Sequence, residues 1–268
     1  MDLELAGKVA IVTGGSRGIG KAVARQLVAE GAAVCLVARD RAALDAAAAE
    51  LRAGTPGAPR VLAVSADTGD DTSVRAMVET VARELGRIDI LVNAAAQAGG
   101  QAPPPTIDEI TDALFWDDVN VKLLGYMRCA RAVAPHMRER GWGRIINIGG
   151  LAARQTGSLI GTVRNAGVAA LTKQLADELG PHGIQVSVVH PGLTRTEATA
   201  GVIARRAERE GTSEAAVEAR MAGSNAIRRL LTAEEVAYVI AFLASPKSIA
   251  INGDAIAAGG GAPRAIYY

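Results

Sequence analysis

Short apolar runs alternate along the chain with longer amphipathic stretches. The runs Val9–Thr13, Ala33–Ala38, Arg60–Ser65, Ile88–Ala94, Arg144–Ile148, Ile184–His190 and Asp254–Ala257 are rich in Val, Ile, Leu and Ala, as strands buried on both faces are. Between most of them, Gly18–Glu30, Arg41–Ala53, Val74–Leu85, Ala113–Arg140 and Val163–Leu179 carry apolar residues at helical spacing. Thr232-Ala233-Glu234-Glu235 reads as a capping box opening a further helix to Ala244, which Ser245-Pro246 ends. Strands alternating with helices require right-handed crossovers, so the pattern predicts an α/β fold with a doubly wound parallel sheet between two helical layers. Two stretches break the alternation. Ala98–Thr106 is rich in Gly and Pro and reads as a loop, whereas residues 194–225 are polar, charged and helical in parts. The second leaves the sixth strand at Pro191-Gly192, at the carboxyl edge where open α/β sheets bind ligands, which makes it a candidate substrate lid or, alternatively, a surface helical hairpin.

No internal repeat is visible, and 268 residues read as one domain. Hydrophobic residues make up 49 % but aromatics only 3 %, so the core must be built from close-packed aliphatic side chains. With 29 Lys and Arg against 28 Asp and Glu, the net charge of +1 offers no field for a nucleic-acid backbone, and no nucleic-acid partner is expected. Cys35 and Cys129 have no paired or metal-ligand spacing and read as buried thiols, and His136, His182 and His190 are scattered, so no metal is expected. The N-terminal apolar run Val9–Val12 is too short for a signal-peptide core or a membrane span, which predicts a soluble cytoplasmic protein with no membrane partner.

The chemistry begins at Thr13-Gly14-Gly15-Ser16-Arg17-Gly18-Ile19-Gly20, which follows the first strand and opens the first helix. Glycines there permit a tight turn and close approach of a pyrophosphate to the positive end of the helix. Taken with Asp67, Asn93 in Leu91-Val92-Asn93-Ala94-Ala95-Ala96, Asn120 in Val119-Asn120-Val121, Pro191-Gly192-Leu193-Thr194-Arg195-Thr196, and Asn252-Gly253 with Gly259-Gly260, this turn makes the chain resemble a short-chain dehydrogenase/reductase over nearly its whole length. The resemblance implies a Rossmann-type three-layer fold with a nicotinamide dinucleotide held by Gly14, Ser16, Arg17, Gly18, Ile19, Gly20, Arg39, Asp67, Asn93, Asn165, Pro191, Gly192, Thr194 and Thr196. Ala38 occupies the usual Asp position after the second strand and is followed by Arg39. Together with Arg17 this suits a ribose 2′-phosphate, so NADP(H) is favoured over NAD(H). Asp40 complicates the charge, since it could turn inward or neutralise Arg39.

The family resemblance also implies a catalytic Asn, Ser, Tyr and Lys. Here Asn120 is retained, while Gly150, Gly161 and Asn165 stand at the Ser, Tyr and Lys positions. No Tyr lies between Tyr126 and Tyr238, and the only lysine from Met127 to Pro246 is Lys173, two helical turns past the expected place. A ketone accepting hydride needs a proton, and no nearby residue replaces that acid; Ser158 and Thr162 are the nearby hydroxyls. Arg154, Arg164 and Arg195 could instead converge on an anionic substrate such as a carboxylate or a thioester-linked carrier. Three functions follow: an NADP(H)-dependent oxidoreductase acting on a carbonyl or alcohol with a non-standard acid; a catalytically silent cofactor-binding subunit or sensor that partners an active homologue; or a lyase or isomerase on the same scaffold. The long helices at Ala113–Arg140 and Val163–Leu179 resemble those through which family members pair, which implies a homodimer, a homotetramer or a hetero-oligomer. The tail Ala262–Tyr268 offers one further source of a phenol, Tyr267 or Tyr268, supplied in trans.

Overall fold

The structure is a computed structural model that describes residues 1–55, 57, 59–97 and 102–263. The seven long apolar runs form one parallel sheet: β1 (Val9–Thr13), β2 (Ala33–Ala38), β3 (Val61–Ser65), β4 (Ile90–Asn93), β5 (Gly143–Ile148), β6 (Ile184–Pro191) and β9 (Ala255–Ala258), in the order β3-β2-β1-β4-β5-β6-β9. The strand order reverses between β1 and β4, which opens a crevice at their carboxyl ends.

Alternation along each strand sorts side chains between two apolar layers. Ala10 and Val12 of β1 face α1 (Gly18–Ala29), α2 (Arg41–Ala53) and α9 (Ala233–Ala244), while Val9 and Ile11 face α3 (Asp71–Leu85), α5 (Gly125–Arg140) and α6 (Leu159–Leu179). The result is the three-layer α/β/α Rossmann fold expected from the sequence. Thr232 and Glu235 close the anticipated capping box on α9, with the Thr232 hydroxyl accepting from Glu235 N–H at 3.2 Å and Glu235 Oε2 accepting from Thr232 N–H at 2.9 Å. Cys35 and Cys129 are fully buried, and burial pushes both thiols up to about 12.

Three features differ from the sequence expectation. Helices α3 and α6 start several residues earlier than their apolar periodicity, because Asp70 and Ser158 cap them with side chains that accept from Thr72 and Gly161 N–H. The helix read over Ala113–Arg140 runs without interruption from Asp112 to Arg140, but a π-helical turn at Asn120–Leu124, which the pattern did not show, separates α4 (Asp112–Val119) from α5. Residues 194–225 are helical in parts as read, with α7 (Thr199–Glu210) and α8 (Glu214–Ala222) enclosing a small apolar cluster with Leu230, but the two-residue strand β7 (Thr194–Arg195), paired with β8 (Leu231–Thr232), was not expected. Among the described residues no helix is long and apolar enough to cross a membrane, and no group of three His, Cys, Asp or Glu could hold a metal ion. Tyr267 and Tyr268 lie outside the described residues.

Candidate active site

The crevice is built first from backbone. Gly14 has φ +66°, and a Cβ there would lie 2.8 Å from the Ala94 carbonyl oxygen at the end of β4; a Cβ on Gly20 would collide with the Gly14 carbonyl oxygen. The Thr13 hydroxyl accepts from Ala94 and Ala95 N–H at 3.1 and 3.2 Å, fixing the ends of β1 and β4 side by side. Arg17 begins α1 in extended conformation and no side chain caps that helix from the N-cap position. A turn that only glycine fills, opening an uncapped helix at the reversal of strand order, fits a dinucleotide diphosphate. Ser16 and Ile19 are half-buried beside it. One first-turn donor is engaged from outside: Gly18 N–H donates to Glu197 Oε2 at 3.0 Å, and Glu197 also pairs with Lys21 at 3.0 Å. The Pro191-Gly192 segment therefore folds back over the turn, with Thr196 Cγ2 3.6 Å from where a Gly18 Cβ would stand. The Thr194 hydroxyl donates to the Gly192 carbonyl at 3.0 Å, and Asp67 accepts from Gly69 N–H at 2.8 Å.

At the end of β2, Arg39 is exposed, as is Arg17, and neither forms an ion pair among the described residues. Asp40 neither turns inward nor neutralises Arg39; its carboxylate caps α2 by accepting from Ala43 N–H at 3.0 Å. Arg17 before α1 and Arg39 after β2 are thus two exposed cations outside any ion pair among the described residues.

The other side of the crevice lies between the end of β5 and the start of α6, where Gly150, Gly161 and Asn165 stand. Gly150 follows β5, and a Cβ on it would sit 3.3 Å from Asn165 Nδ2; a Cβ on Gly161 would sit 2.9 Å from Ser158 Oγ, which accepts from Gly161 N–H at 3.1 Å. Ser158 thus caps α6 directly over Gly161, and the Asn165 amide lies against Gly150. Asn165 is buried, donates to the Gly161 carbonyl at 2.8 Å and keeps Oδ1 without a partner. Asn120 directs its amide at the Gly69 carbonyl, 3.3 Å away, and its own carbonyl accepts from Arg128 at 3.1 Å and from Gly125 N–H. Asn93 is fully buried and donates to Asn147 Oδ1 at 2.9 Å; Asn147 in turn donates to the Thr172 hydroxyl at 2.9 Å. Arg154, Arg164 and Arg195 do not share a centre: Arg154 donates to the Ala255 carbonyl at 2.9 Å, Arg164 pairs with Asp118, and Arg195 pairs with Glu218.

Three residues that the sequence reading left out converge beneath Gly149 and Gly150. Lys122, in the π-helical turn, donates to the Gly149 carbonyl at 2.8 Å; Tyr126, one turn on, donates to the Ile148 carbonyl at 3.1 Å; and His190 Nδ1 accepts from Gly150 N–H at 3.1 Å. The His190 ring occupies the space a Gly149 Cβ would need. Burial, with Arg154 and Lys122 adding to it, lowers His190 to about 4, so its ring is neutral with the proton on Nε2. A signal for Lys122 did exist. Val119, Lys122, Tyr126, Ala130, Val133 and Met137 recur at three- and four-residue steps, which places a lysine in the apolar stripe of a helix.

A sequence profile described as short chain dehydrogenase matches residues 8–207. The chain is 38 % identical over 257 residues to the short-chain reductase protein NovJ of Streptomyces niveus, covering 95 % of this chain and 94 % of that protein. It is 36 % identical over 262 residues to the 3-oxoacyl-acyl-carrier-protein reductase FabG of Pseudomonas aeruginosa, covering 97 % and 98 % of the two chains. Its fold superposes on the crystal structure of L-sorbose reductase from Gluconobacter frateurii, complexed with NADPH and L-sorbose, with a TM-score of 0.92 at 32 % identity, covering 99 % of this chain and 100 % of that one.

Proposed function

Because the chain belongs to the short-chain dehydrogenase family, we propose that it binds NADP(H) in preference to NAD(H) and interconverts a carbonyl compound and its alcohol through a non-standard active site. The observation that carries this reading is the dinucleotide crevice, intact in its glycine turn and flanked by Arg17 and Arg39, both outside any ion pair among the described residues. Arginine recognises a phosphate by paired charge-assisted hydrogen bonds that a free ribose hydroxyl cannot return. The relatives' names agree in kind: a reductase solved with NADPH and a reductase of carrier-bound 3-oxoacyl groups. When bound, the reduced nicotinamide supplies a hydride. The chain's part is to hold it against β4 and the Pro191–Thr196 segment and to bring a proton to the substrate oxygen. Titrating the fluorescence of NADPH and NADH tests the cofactor reading. Tighter NADPH binding supports it, and equal or tighter NADH binding overturns it.

A second reading rests on Gly150, Gly161 and Asn165 themselves: a cofactor-binding subunit that leaves turnover to an active homologue. Turnover of the purified protein alone, with a panel of ketones, 3-oxoacyl thioesters and alcohols, separates the two. In either case we place the protein in the cytoplasm as an oligomer, homodimeric or homotetrameric in the first reading and heteromeric in the second. Leu114 and Trp116 of α4 and Leu159 and Val163 of α6 are large, apolar and exposed, as an unpaired helix face would be.

A further inference from the structure

Removing the family's lysine from α6 did not leave the site without one. Lys122 is the one lysine buried among the described residues, at 6 % exposure, and its ammonium lies under the peptide that joins Gly149 to Gly150. The carbonyl of that peptide takes one of its three protons. The charged groups facing it are Asp118 and Arg164, which pair with each other; neutral His190 lies on β6, and the Tyr126 hydroxyl is turned to Ile148. Among the described residues no carboxylate hydrogen-bonds the ammonium directly. Among the described residues two buried atoms of its neighbours have no partner: Asn165 Oδ1, 3.6 Å from where a Gly150 Cβ would stand, and Nε2 of His190, whose Nδ1 accepts from Gly150 N–H. Such atoms are costly unless a guest completes them. Lys122 and Asn165 thus border the same Gly149–Gly150 segment, one with a donor and the other with an acceptor.

We propose that Lys122 is the proton donor to the substrate oxygen, reaching it from the α4–α5 turn rather than from α6, with Asn165 Oδ1 receiving the hydroxyl of the alcohol. The proposal rests on the oxidoreductase reading above. In the reductive direction the carbonyl carbon gains a hydride and the oxygen gains a proton from the Lys122 ammonium. The C=O π bond is replaced by one C–H and one O–H bond, the carbonyl is reduced, and the nicotinamide is left oxidised. Lys122, now a neutral amine, is reprotonated from water. Burial, assisted by Arg164 and opposed by Asp118, lowers Lys122 to about 7, where an acid both carries its proton and releases it readily. Reduction therefore slows as pH rises through that value, and alcohol oxidation slows as pH falls through it.

The chain has five lysines, so carbon-13 labelling of lysine gives five side-chain signals, with that of Lys122 identified by its absence in Lys122→Met. A Lys122 signal that titrates near neutrality and shifts when NADPH and a ketone are added supports the proposal; titration in the ordinary lysine range overturns it. Folded Lys122→Met should bind NADPH with wild-type affinity and lose ketone reduction by about 10²–10⁴-fold. Wild-type turnover in that variant overturns the proposal while leaving the oxidoreductase reading standing. A wild-type protein that binds NADPH yet reduces no carbonyl overturns both. Should Lys122→Met not fold, Lys122→Arg decides: loss of the fall in rate above neutral pH supports the proposal, and its persistence overturns it.

Discussion

The two sides of the crevice are made of different material. Between β1 and β4 the ligand surface is backbone: glycines where a side chain would strike the neighbouring strand, and a helix whose first turn no side chain caps from the N-cap position. Between β5 and α6 the surface is side chain: Ser158 Oγ stands against Gly161, the Asn165 amide against Gly150 and the His190 ring against Gly149. A cofactor held by backbone shape depends on the path of the chain, so it survives only if that path does. A proton donor is one side chain in a fixed frame, so it can be lost or moved without disturbing the strands around it.

The hardest blow to the backbone side is Gly14→Ala. The added Cβ meets the Ala94 carbonyl at 2.8 Å in a left-handed conformation. Such strain costs about 1–3 kcal/mol before the collision is counted, so NADPH binding should weaken by about 10²-fold, read by fluorescence titration. Retained affinity would mean that the turn adapts and that the backbone argument is wrong.

The side-chain half has its own cost, which acid exposes. His190 sits neutral under Gly149, lowered to about 4 from an ordinary value of 6.5 by burial first and by Arg154 and Lys122 next. Between those values the unfolded chain takes up a proton that the folded chain refuses. The stability present above pH 6.5 is therefore lost as pH falls toward 4, by a total of about 3 kcal/mol. Urea unfolding across that range should show the slope, and His190→Asn should flatten it. An unchanged slope in the variant would assign the acid sensitivity elsewhere.

Restoring the family's residues sharpens the contrast. Gly150→Ser, Gly161→Tyr and Asn165→Lys together crowd Ser158, whose Oγ lies 2.9 Å from the new Cβ at position 161, so Ser158→Gly should accompany them. The fourfold variant should reduce ketones about 10–10² times faster than the wild type, within the range a positioned acid supplies, while Gly161→Tyr alone gains little. A folded, NADPH-binding and inert variant would show that the pocket's path has changed as well as its side chains.

Much of the backbone half was legible in the sequence, because glycine spacing after an apolar strand has few other uses. The turn at Gly14–Gly20, the sheet and the capping box of α9 all stand where the pattern puts them. The π-helical turn at Asn120–Leu124 was not legible: beside it Gly125 packs against Thr68, where a Cβ would meet the carbonyl at 3.0 Å, and that contact lies 57 positions away in the chain. The place of Lys122 in an apolar stripe was legible, but its partner was not, since only the folded turn carries it under Gly149. The pair β7 and β8 has two residues in each strand, too few for any period to show. The identities of Gly150, Gly161 and Asn165 could be read from sequence, but the contacts that their neighbours Ser158 and His190 make could not.

Cofactor preference is the next effect in size. Arg17→Ala or Arg39→Ala should weaken NADPH binding about tenfold each, the scale of one charge-assisted hydrogen bond, and leave NADH unchanged. Equal losses for both dinucleotides would place the arginines on the diphosphate instead.

The smallest effect lies where the two halves meet. Glu197 follows the Pro191–Thr196 segment and sets its carboxylate on Gly18 N–H and Lys21, at the positive end of α1. A diphosphate approaching that helix meets a negative charge already in place. The hydrogen bonds to Lys21 and to backbone lower the Glu197 carboxyl below its ordinary value against the opposing effect of burial, so the charge is present at neutral pH. Glu197 is half exposed, and exposed pairs of this kind contribute about 0–1 kcal/mol, so the competition is weak. Glu197→Gln keeps an acceptor for Gly18 N–H but removes the charge. It should raise NADPH affinity by about two- to fivefold at low ionic strength, with the gain shrinking in high salt as screening takes over. Unaltered affinity at both ionic strengths would mean that the carboxylate and the diphosphate use different donors of the same helix turn.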